Sequence, residues 1–136
     1  MARFLIFMIM AIMALPILAK PLSFAGQECF ELDGHANERI CLERRANQSR
    51  QTLKQAEASL GNALKNWDTE PKFKFKAGQR LIKSVDAFHQ YQKSQCEFQA
   101  SLSAGGNSAD DRRLLCIIQL NEMRITELRE AAASLP

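Results

Sequence analysis

The sequence predicts an all-α protein: a small antiparallel helical bundle of one short and three longer helices, crosslinked by two disulfides. Two observations predict this fold class. Apolar and small residues recur at alternating steps of three and four along long segments, which is the period of a helix with one buried face. Four cysteines also form two pairs, and each pair is centred on a turn-like run that contains glycine and asparagine.

The first 25 residues are predicted to be an export signal. Arg3 precedes an apolar run from Phe4 to Ala19, which at about 16 residues is shorter than the roughly 20 that span a bilayer. Small residues at Ser23 and Ala25 suit a signal peptidase, so cleavage is predicted after Ala25, with a second candidate site after Ala19. The alternative is an uncleaved membrane anchor. Cleavage implies a periplasmic or secreted protein.

Residues 26–136 then form a single helical domain of ordinary size. Without Arg3 and Lys20, its basic and acidic side chains nearly balance. A balanced charge argues against nucleic acid and against an anionic membrane as partners. We also expect no stable membrane insertion once the signal has been removed.

The first two predicted elements flank the run Asp33-Gly34. A short segment, residues 27–32, precedes it, and a long helix follows from about Asn37 to Trp67. Gly61 interrupts that helix, at up to about 1 kcal/mol relative to alanine. Its expected inner face comprises Leu42, Ala46, Ser49, Leu53, Ala56, Leu60, Ala63 and Trp67.

The third element is predicted to begin with Thr69 as its N-cap and Pro71 in its first turn, and to end before Gly105-Gly106. Phe73 and Phe75 are expected in the core, and an exposed apolar patch is the alternative. The expected inner face continues through Ala77, Leu81, Val85, Phe88, Tyr91, Phe98 and Leu102.

The last helix is predicted to begin near Ser108 and to fray over Ala131–Ala133. Asp110 and Asp111 lie in its first turn, where negative charge is favourable, so capping is their expected role. The expected inner face comprises Leu114, Ile117, Ile118, Asn121, Ile125 and Leu128.

The four cysteines allow three disulfide pairings. Residues equidistant from the turn of a helical hairpin lie side by side, which favours Cys29 with Cys41 and Cys96 with Cys116. Each crosslink is expected to stabilise the fold by about 3 kcal/mol. The competing hypothesis is a metal site made of Cys29, His35 and Cys41. Their spacing lacks a Cys-x-x-Cys pair, and an oxidising compartment favours disulfides.

The sequence offers no constellation of catalytic residues. His35 and His89 have no serine or cysteine nucleophile near them in sequence. The pair Gly105-Gly106 ends a helix instead of opening a phosphate-binding loop. We therefore predict no enzyme activity, no catalytic residue, no cofactor and no metal.

The cysteine framework and the residues around it resemble those of the LprI-type lysozyme inhibitors, in their N-terminal domain. The likeness covers roughly residues 29–128. It is carried by Cys29, Cys41-Leu42, Glu57, Leu60, Phe88, Tyr91, Cys96, Gly105-Gly106-Asn107, Cys116, Leu120, Arg124 and Glu127-Leu128. The chain departs from the usual pattern at Phe88 in place of Trp, Gln92 in place of Arg, Gly61 in place of Asn and Asn121 in place of Thr.

The resemblance implies an exported binding protein that inhibits a peptidoglycan-cleaving enzyme, such as lysozyme, by occluding its cleft. The expected partner is thus a lysozyme or another cell-wall hydrolase. Gly105, Gly106, Asn107 and Ser108 are the candidate contact residues. Two alternatives remain: an immunity protein against a secreted cell-wall toxin, and a structural or chaperone-like envelope protein with an exposed apolar groove.

Overall fold

The computed structural model describes residues 24–135, so the predicted export signal lies outside them except for Phe24 and Ala25. A short 3-10 helix, Gln27–Glu31, is followed by α1 (His35–Asn66), α2 (Pro71–Ser101) and α3 (Asn107–Ala133). The all-α prediction is confirmed. No helix of the described part is long and apolar enough to cross a membrane.

α1 and α3 run parallel to each other, and α2 runs antiparallel to both. His35 at the start of α1 contacts Asp111 near the start of α3, and Ser49 in the middle of α1 contacts Asn121 in the middle of α3. α3 packs against both other helices, whereas α1 and α2 touch each other much less. α3 is therefore the central helix of the bundle.

The core consists of two apolar clusters separated by a buried polar layer. The cluster at the C-terminal ends of α1 and α3 comprises Leu53, Ala56, Leu60, Leu64, Ile125 and Leu128. The cluster at their N-terminal ends comprises Cys29, Leu42, Ala46 and Ile118. Ser49 and Asn121 lie between the two clusters and are buried. The predicted stripe of α1 is thus confirmed up to Leu60, after which Leu64, and not Ala63, is the buried residue.

The 3-10 helix is fixed to the bundle at its start and at its middle residue. Gly26 precedes it with a φ of 91°, and a side chain there would lie 2.9 Å from the Leu115 side chain on α3. Cys29 is fully buried and forms a disulfide with Cys41 of α1. At position 26, only glycine combines a positive φ with such close packing against Leu115.

The structure corrects the predictions for α2 at three places. Glu70, and not Thr69, is the N-cap residue, and it makes no side-chain capping bond. Phe73 and Phe75 are exposed, which overturns their assignment to the core. Further along, three members of the predicted inner face are also more than half exposed, namely Tyr91, Phe98 and Leu102. At this end α2 contacts α3 through Cys96 and the residues next to it. The apolar residues of the predicted stripe lie on a different, exposed face.

Candidate functional site

The turn between α2 and α3 projects into solvent. Ala104, Gly105 and Gly106 have φ values of 53°, 93° and 79°, so three successive residues adopt the left-handed region. A side chain at either glycine would meet no atom within 4 Å. The four predicted contact residues, Gly105, Gly106, Asn107 and Ser108, are all exposed there. Their geometry suits a protruding contact element, and their role in binding stays a prediction.

A disulfide and an ion pair hold the base of this turn together. Cys96 and Cys116 are bonded, with their Cα atoms 5.4 Å apart, which confirms the predicted pairing. Arg113 donates to both carboxylate oxygens of Glu97, at 2.8 and 3.1 Å, and also to Asp110. The hydrogen bond from Arg113 lowers the pKa of Glu97, and the same bond raises the pKa of Arg113.

A second cluster ties the start of α1 to the first turns of α3. Asp111 is buried, and it accepts hydrogen bonds from His35 Nε2 at 2.7 Å and from Arg39 Nη1 at 3.3 Å. The pKa of Arg39 is raised, chiefly by its hydrogen bond to Glu43 and further by Asp111. Asp111 therefore joins two helices and does not cap α3, contrary to the prediction. Nothing in the sequence indicated this contact, because its partners are more than seventy residues apart.

A surface groove of about 670 Å³ begins beside the turn and follows α3. Its floor includes Leu115, Gln119 and Met123 of α3. Phe30 of the 3-10 helix forms one wall and Tyr91 of α2 forms the other, while Ser108 lies at the end next to the turn. Phe30, Tyr91 and Met123 are each about half exposed or more. This groove was not predicted from the sequence, because Tyr91 fits the apolar stripe of a helix and Phe30 lies in an element too short to show a period.

The metal hypothesis for the first cysteine pair is wrong. Cys29 and Cys41 form a disulfide, with their Cα atoms 5.5 Å apart, so their sulfur atoms are not metal ligands. His35 begins α1 and contacts Asp111. His89 lies on α2, 3.5 Å from a carboxylate oxygen of Glu57 and edge-on to the Phe88 ring. Each histidine has a carboxylate partner, and both contacts link different helices.

The polar layer in the core joins all three long helices. Asn121 of α3 donates from Nδ2 to Ser49 Oγ of α1 at 2.9 Å, and it accepts from Gln92 Nε2 of α2 at 2.5 Å. Close to it, Arg124 of α3 bonds Ser84 of α2 and lies over the Phe88 ring, 5.6 Å from the ring centre.

Comparison with known proteins identifies the family. The sequence model of the family described as lysozyme inhibitor LprI matches residues 29–128, which is well over half of the chain. The chain belongs to this LprI family. No curated protein and no solved structure matches the chain. The matched segment begins at the first cysteine and contains both disulfides.

Within the LprI match, the residues that carried the resemblance have separate structural roles. Leu60 and Leu128 are core residues, and Glu57 contacts His89 across α1 and α2. Tyr91 lines the groove beside the turn. The family suggests a protein that inhibits lysozyme, and with two disulfides it is consistent with an extracytoplasmic location.

Proposed function

We propose that this protein is exported to the periplasm or beyond and inhibits a lysozyme-type peptidoglycan hydrolase by blocking its substrate cleft. The observation that carries the proposal is the LprI family match over the segment that contains both disulfides. The inhibition is steric, because a rigid bundle in the cleft excludes the glycan without any chemical step. The partner is therefore another protein, and the inhibitor acts without a cofactor.

The contact surface in this proposal is the α2–α3 turn with the adjoining groove. The turn projects into solvent, and its base is held by the disulfide between Cys96 and Cys116 and by the ion pair between Arg113 and Glu97. A contact element that is ordered before binding loses little conformational entropy when it binds. Phe30, Tyr91 and Met123 add exposed apolar area beside it, which is the usual character of an interface centre.

The proposal is tested by following the lysis of bacterial cell walls by an animal lysozyme. The inhibitor is the exported protein, purified with both disulfides formed. A stoichiometric or small molar excess should slow the loss of turbidity. Unchanged lysis at micromolar excess, across lysozymes of different classes, rejects the proposal.

The contact surface has its own matched pair of variants. Ser108→Arg places a long charged side chain at the junction of turn and groove, and it should weaken inhibition at least tenfold. Ser59→Arg is the same exchange at an exposed position of α1, far from the turn, and should leave inhibition unchanged. Equal inhibition by both variants would place the contact elsewhere on the bundle. Circular dichroism verifies that both variants are folded.

One observation favours a second candidate, a chaperone-like envelope protein. That function requires exposed apolar surface, and Phe73 and Phe75 are exposed instead of buried. The protein should then suppress the aggregation of a reduced, unfolded client at equimolar concentration. Suppression together with a failed lysis assay would favour this candidate over the inhibitor.

A further inference from the structure

The charge of the domain is unevenly distributed. Its near-neutral total, which argues against an anionic partner for the chain as a whole, includes a strongly basic segment at the start of α2. Residues 71–83 contain five basic side chains and no acidic one. The basic residues are Lys72, Lys74, Lys76, Arg80 and Lys83.

Most of these cations are free to meet an anion. Lys72 pairs with Glu70 at 2.8 Å and also lies over the Phe73 ring. Within residues 24–135, the other four have no carboxylate within 4 Å. Lys76, Arg80 and Lys83 are exposed. Solubility alone does not require that all the charged residues over three helical turns be basic.

Apolar side chains lie on the same exposed side of this segment. Phe75 is 70% exposed and Ile82 is 57% exposed, and their seven-residue spacing places them two turns apart on one face. Lys76 and Lys83 follow them directly in sequence, so the lysines form a row beside the apolar pair. We call Phe75, Lys76, Ile82 and Lys83 the α2 basic surface.

A second groove borders this surface. It has a volume of about 460 Å³ and lies between α2 and α1, where Gly61 and Gly78 leave space between the helices. Phe75 and Ile82 line it together with Lys65 and Lys74. The surface is therefore apolar in its middle, where these side chains border a shallow groove, and cationic at its edge, where the lysines lie.

We propose that the α2 basic surface adsorbs to an anionic phospholipid bilayer. The lysines meet lipid phosphates, and Phe75 and Ile82 enter the boundary between headgroups and acyl chains, as in amphipathic helices that lie in the membrane plane. The binding is peripheral and reversible, because a few basic and two apolar side chains supply far less energy than a spanning helix. A soluble polyanion would interact with the lysines alone. An unfolded polypeptide would interact chiefly with Phe75 and Ile82.

The proposal is tested by co-sedimentation of the exported, disulfide-bonded protein with large vesicles. One set contains equal parts of phosphatidylglycerol and phosphatidylcholine, and the other contains phosphatidylcholine alone. Binding to the anionic set, weakened by salt, is expected. The protein is used after removal of residues 1–25, because that segment is apolar and carries the basic residues Arg3 and Lys20.

Variants identify the surface. Lys76→Gln with Lys83→Gln should weaken binding about 25-fold, because each cation near an anionic surface contributes about fivefold. Lys54→Gln with Lys93→Gln removes the same charge from exposed positions nearer the middle of α1 and towards the far end of α2, and should have a much smaller effect. Phe75→Ser should weaken binding about tenfold.

Three results would overturn the proposal: equal binding to neutral and anionic vesicles, equal losses in the two lysine pairs, or full binding by Phe75→Ser. The last result would show that the lysines bind the anionic surface without insertion of the apolar side chains. None of these measurements involves lysozyme, so the proposed inhibition stands or fails separately.

Discussion

Gln92 of α2 donates a hydrogen bond to Asn121 of α3 in the middle of the bundle, with 2.5 Å between Nε2 and Oδ1. Asn121 is fully buried, and its own amide donates to Ser49 of α1, so one side chain links three helices. Ser49 in turn donates to the carbonyl oxygen of Ala46. Every member of this layer therefore has a partner, which is what makes a buried polar group tolerable in an apolar core.

Asn121→Ala should lower the free energy of unfolding by about 2 kcal/mol, because the amide of Gln92 loses its acceptor and Ser49 loses a donor. Gln92→Ala should lower it by about 1 kcal/mol, since this side chain is only partly buried. Urea unfolding with the disulfides intact measures both. Asn62→Ala, the same exchange at an exposed position of α1, is the control. A loss at Asn121 no larger than that at Asn62 would contradict the role assigned to the layer.

Two glycine-to-alanine exchanges should change stability in opposite directions. Gly61 lies inside α1, and a side chain there would meet only Leu81, at an ordinary contact distance of 3.9 Å. Gly61→Ala should therefore raise the free energy of unfolding by about 0.5–1 kcal/mol. Gly106→Ala should lower it by about 1 kcal/mol or more, because its φ of 79° strains any residue with a side chain. Thermal unfolding of both variants provides the comparison, and a gain at Gly106 would be inconsistent with the left-handed turn.

Removal of the second disulfide should destabilise the bundle substantially. Cys96→Ala with Cys116→Ala opens a loop whose ends are 20 residues apart in sequence, and should lower the free energy of unfolding by about 3 kcal/mol. The turn that the disulfide holds should then become more susceptible to proteolysis. Limited proteolysis and urea unfolding test both effects. If the variant is as stable and as resistant as the parent, the crosslink has no structural role at this turn.

The ion pair between Glu97 and Arg113 should make stability depend on pH. The folded pKa of Glu97 is lowered from its ordinary value of 4.5, chiefly by the hydrogen bond from Arg113. Its contribution is thus fully present above about pH 4.5 and is lost as the pH falls through the lowered folded value. Glu97→Gln should be slightly less stable than the parent at neutral pH, and the difference should vanish in acid.

The effect at Glu97 should be small, because Glu97 is exposed, Arg113 is partly exposed and solvent screens the pair. Chemical unfolding of parent and variant over a series of pH values measures it. Repeating the series at high salt is the control, since screening should reduce the difference at neutral pH. A difference that grows as the pH falls would have the wrong sign for a lowered pKa.

The sequence predicted the helices and the disulfides because both depend on local spacing. The steps from Leu42 to Leu60 define a stripe that stays buried, and symmetry about the turns pairs the cysteines correctly. The sequence also placed Asn121 on the inner face, although it did not indicate a partner in α2.

Predictions failed where a helix has few neighbours. A helical period shows that Phe73 and Phe75 fall on particular faces, but it does not show whether another helix covers those faces. α1 and α2 make little contact, so both rings remain exposed. The candidate groove was equally out of reach, because it depends on how the 3-10 helix with Phe30 lies against α3.

The burial of α2 is concentrated at one end, since Cys96 and Ala100 are its only fully buried residues. Its first six turns are therefore held to the bundle mainly by partly buried side chains. Its last turns are linked covalently to α3, the central helix. Within α2, we expect amide protons to exchange with solvent fastest near Phe75 and slowest near Cys96. The opening free energy near Phe75 should be well below the free energy of complete unfolding. The N-terminal half of α2 should thus detach transiently from the bundle while its C-terminal end stays bound to α3.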